Sequence, residues 1–246
     1  MFASPWLRCR TPRPRSDVRV VCLPHAGGSA GFYGTWGAAA PEDVEVVAVQ
    51  YPGREDRLTE PFADGMARLT SRIAAAVAAL DERPTVLFGH SFGALVAYEV
   101  TRLLEVRHDR VLSGLVVSGR RAPSDPPSGA VHLLPDDAVV AELARLGGTG
   151  GELLAIPEAR AVFLPAIRED FRLAETYRHA PGVEPGCPVT AVIGDDDTEV
   201  DAAQAALWAA HTTGPFALRT LPGGHFYLLD HAPAVLELAT PKRGRP

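Results

Sequence analysis

Six short runs of β-branched and apolar residues recur along the chain: VRVVCL (18–23), VEVVAV (44–49), TVLFG (85–89), LSGLVVSG (112–119), PVTAVIG (188–194) and FALRTL (216–221). Several are apolar at consecutive positions, which suits strands covered on both faces. Helical patterns lie between them near 64–80, 92–106, 199–211 and 232–239. Strands joined through helices run parallel, so the alternation predicts an open α/β sheet, mostly parallel, flanked by helices. A chain of 246 residues accommodates one such domain with a sizeable core. The expected organisation is a single domain over 18–240, a disordered tail over 1–17 and a basic C-terminal tail over 241–246.

One interval is too long for a simple crossover. Between Arg120 and Gly186 no convincing strand occurs. The segment opens on a proline-rich loop, RRAPSDPPSG, starts a helix near Asp136 and breaks at GGTGG (147–151). A longer helical stretch follows, PEARAVFLPAIREDFRLAETYRHA. Its Phe163, Ile167, Phe171, Ala174 and Tyr177 recur at helical spacing and form one face. Insertions of this kind sit at the carboxyl ends of strands, where ligands bind, so residues from about 120 to 186 are expected to form a helical lid.

Composition narrows the function classes. The net charge of −6 argues against a general nucleic-acid binder. No run approaches the roughly 18 apolar residues of a membrane span. The opening MFASPWLRCRTPRPRSD has arginines and prolines but no continuous apolar stretch, unlike a secretory signal. Three cysteines show no C-x-x-C pairing, and Cys22 and Cys187 read as small core residues. A reducing compartment, the cytoplasm, is the expected location.

The chemistry concentrates in TVLFGHSFGALVAYEV (85–100). Here a buried strand turns directly into a helix at Ser91, between Gly89 and Gly93. Such a turn strains the serine backbone and needs small neighbours, which is the logic of a nucleophile elbow. It raises the hydroxyl above the sheet beside the free N–H groups of a helix start. A serine hydroxyl needs a base, and the base an orienting acid, each on a loop after a later strand. His225, in PGGHFYLLD after the last predicted strand, is the only one of eight histidines both late in the chain and in a strand-end loop. Of the others, His25 and His90 are expected to serve local hydrogen bonding. Asp195, Asp196 and Asp197 follow the preceding strand, and the pattern alone leaves the acid open among them. Attack on a carbonyl also calls for oxyanion donors. The backbone N–H of Phe92 is one, and that of Ala26, in the glycine-rich LPHAGGSAGFY loop, is the other. That loop lacks the frame of a dinucleotide or P-loop motif, and this chemistry requires neither cofactor nor metal.

With these pieces placed, the chain resembles the type II thioesterases, stand-alone α/β-hydrolases that accompany polyketide and nonribosomal peptide assembly lines. The resemblance runs through LPHAGGSA, VEVVAVQYPGREDRL, GHSFGALVAYEV, SGRRAP, LGGTGGELL, FLPAIREDFRLAETY and HTTGPFALRTLPGGHFYL, covering about residues 18 to 238. It implies that the acid is Asp197, the last residue of a G-D-x-D motif, with Thr198 where the family usually has proline. It further implies hydrolysis of acyl groups from the phosphopantetheine arm of an acyl or peptidyl carrier protein, removing stalled or mis-primed chains. A carboxylesterase or lipase-like enzyme with the same triad is the alternative, and a hydrolase-fold binding protein without turnover a remoter one. Arg54, Arg57, Arg120 and Arg121 fall at predicted loops. They could meet an acidic partner, although solvated surface arginines are the commoner case.

Overall fold

The computed structural model describes residues 4–125, 129–147 and 151–240. Seven strands form one sheet: β1 (Leu7–Arg8), β2 (Val18–Leu23), β3 (Val44–Val49), β4 (Thr85–His90), β5 (Gly114–Ser118), β6 (Val189–Gly194) and β7 (Phe216–Leu221). Their order is β1-β3-β2-β4-β5-β6-β7, with β1 antiparallel to β3 and every other neighbouring pair parallel. The helices are α1 (Trp36–Ala39), α2 (Met66–Ala78), α3 (Phe92–His108), α4 (Asp136–Leu146), α5 (Gly151–Leu154), α6 (Pro157–Thr176), α7 (Ala202–Ala206) and α8 (Ala232–Leu238).

Strand periodicity divides the core in two. Val21 and Leu23 of β2, Val47 and Val49 of β3 and Leu87 of β4 join one apolar layer with α2 and α3. Val20, Cys22, Val86 and Phe88 point to the opposite face and pack with Trp36 and α8. Each face is therefore closed by helices, which explains the uninterrupted apolar strands. Burial raises the Cys22 thiol and pushes that of Cys187 up to about 12, so both are inert apolar fillers. One polar layer interrupts this core: Arg19 and Glu45, in register on β2 and β3, pair at 2.9 Å, and Arg19 also reaches Asp81 at 3.1 Å.

The N-terminus departs from the expected disordered tail. Leu7 is buried, and Leu7–Arg8 adds an antiparallel edge to β3. Trp6 lies beneath the Arg57 guanidinium at 4.2 Å, and Arg13 donates to the carbonyls of Ala40 and Val44 at 2.9 Å each. Two apolar residues and an arginine anchor thus hold a segment whose composition suggests disorder. The expected basic tail over 241–246 lies outside the described residues, as do 148–150 within the glycine break.

Between β5 and β6 the chain leaves the sheet and forms α4, α5 and α6. Val139, Leu154, Leu164 and Ile167 make a small apolar cluster of their own. This insertion is also tied to the loop after β6. Arg145, at the end of α4, donates to the Thr198 hydroxyl at 2.9 Å and pairs with Glu199 at 2.5 Å. The hydroxyl at 198 is the feature that a proline in its place would lack.

Candidate active site

β4 runs directly into α3, and the junction explains both glycines. Ser91 stands at φ 53°, ψ −116°, a region that L-residues occupy under strain. A Cβ on Gly89 would lie 2.1 Å from the Gly93 carbonyl oxygen, and one on Gly93 2.1 Å from that of Leu23. Strand and helix approach so closely that no side chain fits between them. The Ser91 N–H donates to Ser118 O at 2.8 Å, which locks the turn to β5. Phe92 opens α3, so its N–H has no acceptor within the helix.

His225 and Asp197 come together from the loops after β7 and β6. The imidazole Nδ1 lies 3.0 Å from Asp197 Oδ2 and 3.1 Å from Oδ1. Both side chains are almost fully buried, and Asp197 Oδ1 also accepts the Glu199 N–H at 2.9 Å. The tautomer that donates its Nδ1 proton to the carboxylate is the one that leaves the Nε2 lone pair free to act as a base. Asp195 is used differently: its Oδ1 accepts the Gly223 N–H at 2.7 Å and supports the loop leading to His225. Close backbone approach also fixes these loops, since a Cβ on Gly194 would fall 2.2 Å from Gly223 O. Among the described residues no hydrogen bond joins Ser91 to His225, yet both line the same cavity. Catalytic hydrogen bonds are often long in unliganded enzymes and tighten when substrate binds.

Three histidines crowd this centre, and burial disfavours charge on two of them. Burial, with the nearby His225 and Arg54, lowers the pKa of His25 to about 3. Burial and the same neighbour, His225, also push His90 well below its ordinary value. His90 Nδ1 is 2.9 Å from the Ser118 hydroxyl, which in turn lies 2.7 Å from Tyr227 OH. His25 differs from the expected local hydrogen bonding, because its buried Nδ1 has no partner among the described residues. Instead its ring packs edge-on against Phe32 and Phe226, with centroids 4.7 and 4.9 Å away.

Ala26 lines the cavity in the loop after β2, and a polar scaffold holds that loop. The Gly27 N–H donates to Asp170 Oδ2 at 2.8 Å, and Ala30 N–H donates to Gln50 Oε1 at 2.8 Å. Arg54 donates to Gly28 O at 3.0 Å and forms a two-point pair with Asp170 at 2.6 and 3.1 Å. Arg54 and Arg57 are therefore buried structural groups and not partner-facing surface; Arg57 donates to Gln50 O at 2.8 Å and pairs with Glu60. Sequence reasoning missed the role of Asp170. The available signal was a carboxylate three residues after Ile167 on an otherwise apolar helical face. Arg120 and Arg121 are both half-buried and border the cavity, and Arg121 donates to Glu199 O at 3.0 Å.

The cavity encloses about 300 Å³. Ser91, His225, Ala26 and Gly27 line it, as do Phe163, Ile167, Phe171 and Ala174 on one face of α6 and Tyr177, which lies just past the end of that helix. Leu95, Leu143, Leu146, Leu153 and Leu154 extend the apolar lining. Arg120, Arg121, Asp125, Glu175 and Glu199 also line it, so apolar and charged borders meet in one chamber.

A parallel sheet with a strained serine elbow at its carboxyl edge and a histidine–aspartate pair on the last two loops defines an α/β-hydrolase. The thioesterase-domain family model matches residues 18–242, and the chain belongs to that family. Thioesterase PikA5 of Streptomyces venezuelae is 46% identical over 226 residues, covering 92% of this chain and 80% of that one. Among solved structures, the type II thioesterase BorB from the borrelidin biosynthetic cluster is 44% identical, with a TM-score of 0.87 over 95% of each chain. The RedJ thioesterase of the prodiginine pathway in Streptomyces coelicolor is 34% identical, with a TM-score of 0.86 over 93% of this chain and 88% of that one. Among the described residues no helix is long and apolar enough to cross a membrane.

Proposed function

We propose that this thioesterase hydrolyses acyl groups from the phosphopantetheine arm of an acyl or peptidyl carrier protein, in the cytoplasm, and so clears stalled or mis-primed chains from a polyketide or nonribosomal peptide assembly line. Ser91 is the nucleophile, His225 the base and Asp197 the orienting acid. His225 Nε2 takes the hydroxyl proton as Ser91 Oγ attacks the thioester carbonyl. Asp197 holds the correct tautomer and stabilises the imidazolium. The N–H groups of Ala26 and Phe92 receive the oxyanion. Collapse of the tetrahedral intermediate breaks the C–S bond, and His225 returns its proton to the departing thiolate. A thiol's pKa near 8.5 makes that departure easy. Water, deprotonated by His225, then attacks the acyl-serine and releases the free acid.

The observation that carries this reading is the Asp197–His225 contact at 3.0 Å beside a cavity that Ser91 also lines. The thioester, as opposed to an oxygen ester, rests on family membership, because the triad serves both. Release of free thiol from acylated carrier proteins, compared with turnover of simple esters, tests it. The expected result is a higher kcat/KM for the carrier-bound thioester, abolished in Ser91→Ala. Preference for simple esters would identify a carboxylesterase instead.

A further inference from the structure

We propose that His179, Glu184 and His211 form a zinc-binding site at the foot of the helical insertion, separate from the catalytic cavity. His179 and Glu184 lie in the segment between α6 and β6, and His211 ends the 3-10 turn over 207–211. One donor atom of each lies within 4.8 Å of the other two. His179 Nε2 is 3.6 Å from Glu184 Oε1, and His211 Nδ1 is 3.7 Å from Oε2. Those gaps are too long for hydrogen bonds. The first approaches the roughly 3.4 Å edge between two ligands that each sit about 2.1 Å from a tetrahedral ion, and the three donors fall within 4.8 Å of one another.

The remaining polar atoms are held as a metal's outer partners hold its ligands. His211 Nε2 meets the Ser124 hydroxyl at 2.8 Å, and His179 Nδ1 lies 3.5 Å from Tyr177 OH. Tyr98 OH donates to Glu184 Oε2 at 2.5 Å and lies 3.3 Å from His211 Nδ1, so a bound ion would replace the second contact and take the other carboxylate oxygen, Glu184 Oε1. Arg102, near His211, opposes a bound cation, and Glu99 pairs with it at 3.2 Å. Two imidazoles and one carboxylate suit zinc and not magnesium or calcium. His179 and Glu184 are partly exposed, which gives the ion a path in and leaves a fourth position for water. None of the three lines the catalytic cavity. The ion would pin the chain leaving α6 to the turn after α7, a structural role with no step in hydrolysis.

Titrating chelator-treated protein with Zn²⁺ by calorimetry, and with Co²⁺ by visible absorption, tests the site. The expected result is one Zn²⁺ per chain, bound at least tenfold more weakly by His179→Ala and by Glu184→Gln. Co²⁺ should give the intense bands of a four-coordinate ion. Ser91→Ala should bind zinc as the wild type does, whatever becomes of the hydrolytic reading. Absence of stoichiometric uptake, or equal affinity in both variants, would overturn the proposal. Should a variant unfold by circular dichroism, the cobalt spectrum of the intact chain decides alone, and weak octahedral bands count against the site.

Discussion

Asp170→Ala probes how the insertion governs the site. The Asp170 carboxylate takes two bonds from Arg54, at 2.6 and 3.1 Å, and one from Gly27 N–H at 2.8 Å, next to Ala26. The two side chains are only 5% and 4% exposed, so water cannot replace either partner. Removing the carboxylate leaves the Arg54 charge buried without a counter-ion, which costs about 3–5 kcal/mol. At about 2 °C per kcal/mol for a domain of this size, the expected fall in Tm is about 6–10 °C. Removing both charges in Arg54→Met/Asp170→Leu should recover at least half of that fall, because a buried pair contributes less than a broken one costs. Activity is a separate readout. Neither variant anchors Gly27, so thioester hydrolysis measured well below Tm should drop about tenfold or more in both, given what a misplaced oxyanion donor costs. Scanning calorimetry and the thiol-release assay measure the two effects. A single variant that loses less than about 2 °C, or a double variant less stable than the single, would refute the electrostatic reasoning.

The same packing and hydrogen bonds carry other consequences. Gly93→Ala places a methyl 2.1 Å from a backbone oxygen that cannot yield, so the elbow should not close and soluble yield and activity should both collapse; normal activity would contradict the packing. Asp197→Asn should lower kcat by about 10³–10⁴-fold through the wrong imidazole tautomer. Asp195→Asn, which keeps an acceptor for Gly223, should stay within about tenfold of wild type; the reverse order would reassign the acid. His25 is neutral in the folded chain down to about pH 3, whereas an unfolded histidine protonates near 6.5. The unfolded state therefore binds more protons in that window, and stability falls with falling pH by on the order of 1 kcal/mol per unit from this residue. Urea midpoints between pH 7 and 5 should show the slope flattened in His25→Gln; an unchanged slope would locate the effect elsewhere.

What was legible in the sequence depended on range. The six parallel strands announce themselves because burial on both faces leaves continuous apolar runs, and the elbow because two glycines flank a serine between strand and helix. The α6 stripe pointed to its own wall of the cavity for the same periodic reason. Leu7–Arg8 carries no such signal: a two-residue edge strand has no period to read. The three aspartates after β6 are chemically identical neighbours, so the residues alone leave the acid open; the family resemblance pointed to Asp197, which meets the imidazole while Asp195 holds the Gly223 backbone. The Arg54–Asp170 pair joins residues 116 apart, and loop arginines look solvated until the fold folds a helix over them.

The central claim is that Ser91 and His225 act as one catalytic unit although no hydrogen bond joins them in the unliganded chain. The most direct test is kcat/KM for thioester hydrolysis in Ser91→Ala, His225→Ala and the double variant. A shared unit predicts that the double variant loses no more than the worse single one. Losses that multiply would mean that the two side chains act independently.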